Sequence, residues 1–237
     1  MSKNSSPKED CKIKVSKNGP YIVFGSIPLM VATIACDNNG TPAKWVMGEK
    51  LKTSEIYSLC RCGQSNNKPF CDGSHIKANF DGTETSDNEP YDKVAKQIDS
   101  PELLLKDAEI LCASARFCHR GGDIWDVVHR SNEPEAKKNV IENSCDCPSG
   151  RLLVIDKKTG KTIEPVLEKS ICAIEDPAIG TGGPFWVRGR IPIYSADGKL
   201  YEIRNRVTIC RCGKSTNKPF CDSSHYPEED REPKKNL

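Results

Sequence analysis

The stretch Cys60-Arg-Cys-Gly-Gln-Ser-Asn-Asn-Lys-Pro-Phe-Cys-Asp-Gly-Ser-His75 returns later in the chain as Cys210-Arg-Cys-Gly-Lys-Ser-Thr-Asn-Lys-Pro-Phe-Cys-Asp-Ser-Ser-His225. Only three of the sixteen positions differ between the copies. The similarity continues upstream, where residues 19–29 parallel residues 183–193 and both carry glycine and proline at matching places. Each copy therefore predicts a β-rich stretch followed by a cysteine loop.

Short apolar segments at 57–59 and 207–209 predict the strands that lead into the two loops. Two copies of one binding unit within one chain favour a pseudo-symmetric pair, an internal dimer made by a monomeric chain.

Within each loop the spacing of the sulfur and nitrogen donors suits a metal site. Cys60 and Cys62 are separated by one residue, so both thiolates could reach the same iron. Cys71 and His75 are four apart, which places them on one face of a helical turn, facing a second iron. Three cysteines and one histidine also suit tetrahedral zinc, so ligand type alone leaves a structural zinc module open.

The complete pattern C-x-C-x2-S-x3-P-x-C-D-x-S-H resembles the CDGSH (NEET) iron–sulfur family. The first copy fits the family pattern at every defined position, whereas the second has Ser223 where the family has glycine. The resemblance implies a 2Fe–2S cluster in each loop, held by three cysteines and one histidine. The implied ligands are Cys60, Cys62, Cys71 and His75 for the first cluster, and Cys210, Cys212, Cys221 and His225 for the second.

A histidine ligand has two consequences. Neutral imidazole brings no negative charge, so it should raise the reduction potential relative to a site with four cysteines. A protonated imidazole cannot bind iron, so both clusters should become labile as the pH falls, with His75 and His225 as the weak bonds.

Between the repeats lies a different group of cysteines, Cys112-x5-Cys118 followed by Cys145-x-Cys147-Pro148. Over about residues 105–156 this arrangement resembles 3Fe–4S and divergent mono-cluster ferredoxins, with Ala115 where another cysteine would stand.

In that interpretation Cys112, Cys118 and Cys147 hold a third cluster of the 3Fe–4S or 4Fe–4S type, and Cys145 or His119 supplies a fourth ligand. The alternative is that these cysteines simply pack in a core or pair as disulfides in air.

The composition agrees with metal sites in a reducing compartment. Of 237 residues, 13 are cysteines, an odd number that excludes complete pairing, and only 36% are hydrophobic. Metal–thiolate bonds can supply folding free energy that a small apolar core lacks. No apolar run approaches the ~20 residues that span a bilayer, and residues 1–10 show no signal or transit pattern, so we predict a cytoplasmic protein.

We expect an α+β fold in which two small β-rich CDGSH units pack as a pseudo-symmetric pair around a helical, ferredoxin-like middle segment. Ser100 and Pro101 predict a helix that ends near Cys112, residues 124–129 and 136–142 predict two more, and residues 151–156 predict a strand. The expected boundaries are 11–90 for the first unit, 91–156 for the middle segment and 157–227 for the second unit.

Three function classes follow from these sites: electron transfer or redox sensing, storage and transfer of labile clusters, and a structural zinc module. The partner would be a redox protein or an apo-iron–sulfur acceptor. A net charge of +2 with well-mixed signs argues against nucleic acid and membrane surfaces. The sequence has no phosphate-binding loop, nucleophile elbow or Ser–His–Asp order, so we expect no enzymatic activity.

Overall fold

The computed structural model describes residues 11–227 and shows a mixed α+β fold with many strands and few helices. The expectation for residues 1–10 lies outside the described residues. The charged composition of residues 226–237 predicts a disordered tail; residues 228–237 of it lie outside the described residues, and Tyr226 is buried. The strands are β1 (Lys12–Val15), β2 (Tyr21–Phe24), β3 (Leu29–Cys36), β4 (Pro42–Leu51), β5 (Ile56–Leu59), β6 (Lys96–Asp99), β7 (Leu103–Asp107), β8 (Leu152–Asp156), β9 (Thr162–Ile163), β10 (Ser170–Asp176), β11 (Thr181–Arg188), β12 (Ile193–Tyr194) and β13 (Arg206–Ile209). The α-helices are α1 (Ser74–Lys77), α2 (Tyr91–Val94), α3 (Ile124–Val127) and α4 (Pro134–Asp146), with short 3-10 turns at Glu109–Leu111, Phe117–His119, Val128–Arg130 and Pro177–Ile179.

The two repeats build two sheets with matching registers. One sheet has the order β12-β1-β2-β5 and the other β13-β11-β10-β3-β4. In the first, β2 pairs with β5 in the antiparallel register Tyr21↔Leu59, and in the second β11 pairs with β13 in the equivalent register Phe185↔Ile209. The predicted strands before both loops, β5 and β13, are confirmed.

The first sheet also contains β12 of the second repeat, and the second sheet contains β3 and β4 of the first repeat. After β2, the chain turns at Gly25 and Ser26, both with positive φ, and β3 then pairs in parallel with β10 of the second repeat. The matching turn at Gly189 and Arg190 sends β12 into a parallel pairing with β1 of the first repeat. Glycine supplies the first positive φ of each turn at little steric cost.

The exchanged strands enclose one hydrophobic core rather than two. Ile13, Val23 and Leu59 of the first repeat pack in the same buried cluster as Phe185 and Ile209 of the second. Buried and more exposed side chains alternate along β1 and β2, so each strand turns every second side chain into this core. The loops that follow β5 and β13 are therefore carried by a shared scaffold.

The middle segment has its own antiparallel sheet, β6-β7-β8-β9, covered by α3 and α4. The predicted helices at 124–129 and 136–142 and the strand at 151–156 are confirmed as α3 with its following 3-10 turn, α4 and β8.

The predicted helix from Ser100 to Cys112 is wrong. Residues Leu103–Asp107 form strand β7, in which Leu103 and Leu105 are fully buried and alternate with half-exposed residues. A period of two buries one face against the neighbouring strand and outweighs the helix-start signal. Ser100 is not a cap for a helix; its hydroxyl donates to the carbonyl oxygen of Leu103 at 2.6 Å. The middle segment is thus as much sheet as helix, and the expected boundaries between the three parts stay a prediction.

Candidate metal centres

The first loop (residues 60–75) is folded back onto the strand that delivers it. The amide of Cys60 donates to the carbonyl of Pro69 at 2.9 Å, and the amide of Cys71 donates to the carbonyl of Ser58 at 2.9 Å. These bonds hold Cys60 and Cys71 at the same end of β5.

The second loop (residues 210–225) repeats this arrangement bond for bond. The amide of Cys210 donates to the carbonyl of Pro219 at 2.8 Å, and that of Cys221 to the carbonyl of Thr208 at 2.9 Å. The shared sequence therefore encodes a shared backbone fold.

Polar residues of the motif hold the loop rather than the metal. The carboxylate of Asp72 accepts the amides of Asn66 at 2.8 Å and of Ser74 at 3.0 Å, and these bonds together with the Ser74 hydroxyl lower its pKa. Around the equivalent Asp222 burial opposes ionisation, but hydrogen bonds from Ser224 and Thr216 outweigh it and lower the pKa to about 2. These carboxylates stay ionised at any physiological pH.

The candidate ligands of each loop come together as two pairs. In the first loop the Sγ atoms of Cys60 and Cys62 lie 3.9 Å apart, and the Sγ of Cys71 lies 3.4 Å from Nδ1 of His75. The second loop has the same pairs: the Sγ atoms of Cys210 and Cys212 are 3.6 Å apart, and Cys221 Sγ is 3.5 Å from His225 Nδ1.

These spacings suit two ligands on one tetrahedral metal. Metal–sulfur bonds of about 2.3 Å and metal–nitrogen bonds of about 2.0–2.1 Å separate neighbouring ligand atoms by about 3.5 to 3.8 Å. Within residues 11–227, no group of three or more histidine, cysteine or acidic side chains converges on the position of one ion. Each pair by itself has the spacing of two ligands on one metal atom.

A helical turn was expected at both Cys–His pairs. Only the first loop has one, helix α1, and that helix begins after Cys71. It begins at Ser74, one residue past Gly73, so His75 lies in its first turn and Cys71 precedes it. The second loop has a plain turn at this place. The Cys–His distance is nevertheless the same, because the loop hydrogen bonds set it and the helix does not.

Backbone groups and burial shape the charge of the sulfurs. The amides of Gln64 and Lys214 point at the Sγ atoms of Cys62 and Cys212 at 3.4 and 3.5 Å. Burial raises the pKa of the Cys62 thiol. In the second pair the Cys212 thiol hydrogen-bonds to Cys210, which lowers the pKa of Cys210 to about 6 and raises that of Cys212.

The two loops touch each other directly at their glycines. A Cβ added to Gly63 would lie 2.6 Å from the carbonyl oxygen of Cys212, and one added to Gly213 would lie 2.7 Å from that of Cys62. Both glycines have positive φ, at 75° and 79°. Glycine is required here for the close approach of two backbones as well as for the turn.

A hydroxyl from the first repeat reaches the second loop. The hydroxyl of Tyr21 can donate to the carbonyl oxygen of Cys210, at 2.9 Å, or to that of Pro219, at 3.1 Å. At the equivalent position of the second repeat stands Phe185, which has no hydroxyl. Sequence reasoning missed this contact, although the Tyr/Phe difference between the aligned repeats marks the place.

The candidate ligands of the middle segment lie near its inner face. Cys112 is half-buried, its sulfur accepts the amide of Ser114 at 3.5 Å, and the guanidinium of Arg151 lies beside it. Cys118 and Cys147, also half-buried, pack against one hydrophobic cluster.

Two residues of the middle segment were expected as alternative fourth donors, His119 and Cys145. Nδ1 of His119 pairs with the carboxylate of Asp123, a contact that orients an imidazole for binding through its other nitrogen. Burial raises the pKa of Cys145, which keeps that thiol protonated.

Ser223, the departure from the family pattern, has a partner. With φ at 71° it keeps the left-handed backbone of its counterpart Gly73, at 86°. Its hydroxyl donates to the carbonyl of Cys112 in the middle segment at 2.9 Å. The sequence marked the position, but only the fold reveals what it contacts.

The comparisons with known proteins follow the same division of the chain. Residues 18–76 and 182–226 match the family described as iron-binding zinc finger CDGSH type. Both cysteine loops therefore lie in regions that match the CDGSH type. Residues 98–157 match a second family, described as divergent 4Fe-4S mono-cluster.

A curated mouse relative, "CDGSH iron-sulfur domain-containing protein 3, mitochondrial", is 46% identical over 41 residues. The match covers 15% of this chain and 30% of the relative. No solved structure matches the chain. In residues 11–227, every helix is too short or too polar to cross a bilayer.

Proposed function

We propose that the two loops each bind a 2Fe–2S cluster through three cysteines and one histidine, and that the chain is an electron-transfer or redox-sensing protein. The observation that carries this proposal is the division of each donor set into a Cys–Cys pair and a Cys–His pair. Each pair has the spacing of two ligands on one metal. The implied ligands are Cys60, Cys62, Cys71, His75, Cys210, Cys212, Cys221 and His225.

The same pairs argue against the structural zinc module. A zinc ion needs its four donors around one point. The donors of each loop instead lie as a Cys–Cys pair and a Cys–His pair, each with the spacing of two ligands on one metal. Two separate pairs in each loop favour a binuclear group, and the CDGSH matches agree with iron.

A bound cluster would supply one-electron redox chemistry. The loop amides that point at Cys62 and Cys212 would offset its negative charge, and the neutral imidazoles of His75 and His225 would raise its potential. No substrate is transformed in this proposal, so the partner is a redox protein.

A second candidate function is storage and transfer of labile clusters to an apo-iron–sulfur protein. It is favoured by the exposure of the first Cys–His pair. Cys71 and His75 are half-exposed, and Ile76 and Lys77 beside them face solvent, so an acceptor could approach the histidine bond. A ligand that a single proton removes also suits release.

The matched registers and exchanged strands support an internal pseudo-dimer, in which one chain does what two identical subunits would do. We further propose a third cluster, 3Fe–4S or 4Fe–4S, on Cys112, Cys118 and Cys147. Its support is the match of residues 98–157 to the divergent 4Fe-4S mono-cluster family.

The test is iron, sulfide and zinc analysis with visible and EPR spectra of the whole chain purified without oxygen. Four irons per chain would mean two 2Fe–2S clusters, and seven or eight would mean a third cluster. A colourless protein with zinc in both loops would overturn the proposal. Reversible reduction without loss of iron would favour electron transfer, and movement of intact clusters to an apo-ferredoxin would favour delivery.

A further inference from the structure

The second loop is tied to the middle segment by side chains that all approach one short stretch of backbone. The hydroxyl of Ser223 donates to the carbonyl of Cys112 at 2.9 Å, and the amide of Asn217 donates to the carbonyl of Ile110 at 3.2 Å. These residues of the second loop are 9% and 6% exposed. The stretch 110–112 ends in a candidate ligand of the middle cluster.

A second anchor lies just beyond the loop. Arg116 donates to the hydroxyl of Tyr226 at 2.6 Å and forms an ion pair with the buried Asp176 at 2.7 Å. Both ends of the stretch 110–116 are therefore fixed to the second unit. Buried hydrogen bonds and a buried ion pair hold such a position firmly, because breaking any one leaves an unpaired polar group.

The contact lies close to a candidate ligand on each side, Cys221 of the second loop and Cys112 of the middle segment. The route from one candidate ligand to the other is short: along the chain from Cys221 to Ser223, and across one hydrogen bond to the main chain of Cys112.

The first loop has no such link. Within residues 11–227 the hydrogen bonds of its Cys71–His75 stretch go to neighbours in the first unit, such as Asn66 and Phe80. At the position of Ser223 it has Gly73, where an added Cβ would meet nothing within 4 Å. The corresponding surface faces solvent.

We infer that Ser223 couples the second cluster site to the middle site, so that electrons pass inside the chain between these two sites and not directly between the middle site and the first loop. This inference rests on the proposed function. One electron leaves the reduced middle site and reduces the oxidised second site, with no proton transferred and no covalent bond made or broken. A reduced flavin or iron–sulfur protein supplies the electron.

The direction follows from the ligands. The second site has one neutral imidazole among its donors, which raises its potential, whereas the three candidate ligands of the middle site are thiolates. Ser223 acts as a positioning residue, since its hydroxyl contacts the main chain of a ligand and not a metal.

The experiment uses EPR relaxation of the whole chain prepared without oxygen, with dithionite as the reductant. Cys71→Ser leaves the second loop intact, and Cys221→Ser leaves the first. We expect the 2Fe–2S signal of the Cys71→Ser protein to relax several-fold faster when the middle site is paramagnetic. The signal of the Cys221→Ser protein should change much less.

Substitutions at Ser223 test the residue itself. Ser223→Gly restores the family residue and removes the hydroxyl, and we expect it to slow electron equilibration after flash reduction several-fold. Ser223→Asn keeps a donor and tolerates positive φ, so it should restore part of the rate. Gly73→Ser in the first loop is the matched control and should leave the rate unchanged.

The outcomes separate the inference from the proposal beneath it. A wild-type chain with only four irons would remove the middle cluster, and the inference with it, while both 2Fe–2S sites stand. Three clusters with equal relaxation in the two cysteine variants would overturn the inference and leave the proposed function intact. Equal rates in wild type and Ser223→Gly would remove Ser223 from the route.

Discussion

The two cysteine loops have nearly the same sequence and very different surroundings. Asn67 is exposed, whereas its counterpart Asn217 is buried against the middle segment. Cys71 is half-exposed, whereas Cys221 is only 2% exposed. The pairs of candidate ligands have similar spacings in both loops, so the motif determines the arrangement of the donors. The rest of the chain determines how exposed each loop is to solvent.

A strap from the first unit adds to this difference. The amides of Thr85 and Ser86 donate to the carbonyl of Lys218 at 2.8 and 2.9 Å, and Thr85 also bonds to Thr216. The second loop is thus held from two sides, while residues Ile76 and Lys77 at the end of the first loop are exposed. The two histidines themselves are equally half-buried.

The largest expected difference between the loops is the rate at which each loses its cluster at low pH. A protonated imidazole cannot bind iron, so loss through either histidine should speed up as the pH falls. We expect the first cluster to be lost before the second, because Cys71 of its Cys–His pair is half-buried whereas Cys221 is fully buried. Visible absorbance after a pH jump measures both phases.

The histidine variants identify the phases. His75→Cys should remove the acid dependence of the fast phase only, and His225→Cys that of the slow phase only. Asp222 cannot imitate this effect: its pKa is lowered to about 2, so its stabilisation is complete above its unfolded pKa of about 3.9 and fades only as the pH falls through about 2. Unchanged phases in both variants would show that the histidines are not ligands.

The next effect concerns the contact between the loops. Gly63→Ala would place a Cβ 2.6 Å from the backbone oxygen of Cys212, and we expect it to lower the free energy of unfolding by about 2–4 kcal/mol. Gly73→Ala has the same positive φ but open space around it, so only the conformational cost of about 1 kcal/mol should appear. Denaturant titrations measure both variants. Equal losses would mean that the loops do not touch at Gly63.

The smallest expected effect comes from removing the hydroxyl of Tyr21. Tyr21→Phe copies the residue of the second repeat and removes the bonds to Cys210 and Pro219, which we expect to cost about 1–2 kcal/mol. Cluster loss should quicken at the second site alone. Tyr57→Phe is the control, because its hydroxyl bonds to Ile27 at 2.8 Å, away from that loop. A faster loss at the first site after Tyr21→Phe would contradict the contact.

Much of this architecture could be predicted from local patterns. The strands before the loops and helices α3 and α4 have strong short-range signals, and the repeat itself indicated where the donor pairs form. The helix predicted from Ser100 failed because β7 lies between two strands, β6 just before it and β8 more than forty residues later. Long-range pairing of this kind overrides local propensity.

The asymmetry between the sites could not be read from one sequence. Ser223 stood out because the aligned copy has glycine, but its bond to Cys112 joins residues 111 positions apart. The crossing of β3 and β12 into opposite sheets is equally non-local, since the turns that direct them contain only a positive φ signal. The assignment of individual ligands stays a prediction until iron is measured.

The exchange of β3 and β12 between the sheets also determines what happens when the chain is cleaved. A chain cut between the repeats would leave each fragment with its own cysteines and its own loop-bearing strand, but with the far edge of its sheet uncovered at β1 or β10. The unpaired backbone groups of such an edge can bind another strand, and the other fragment carries the strand that fits.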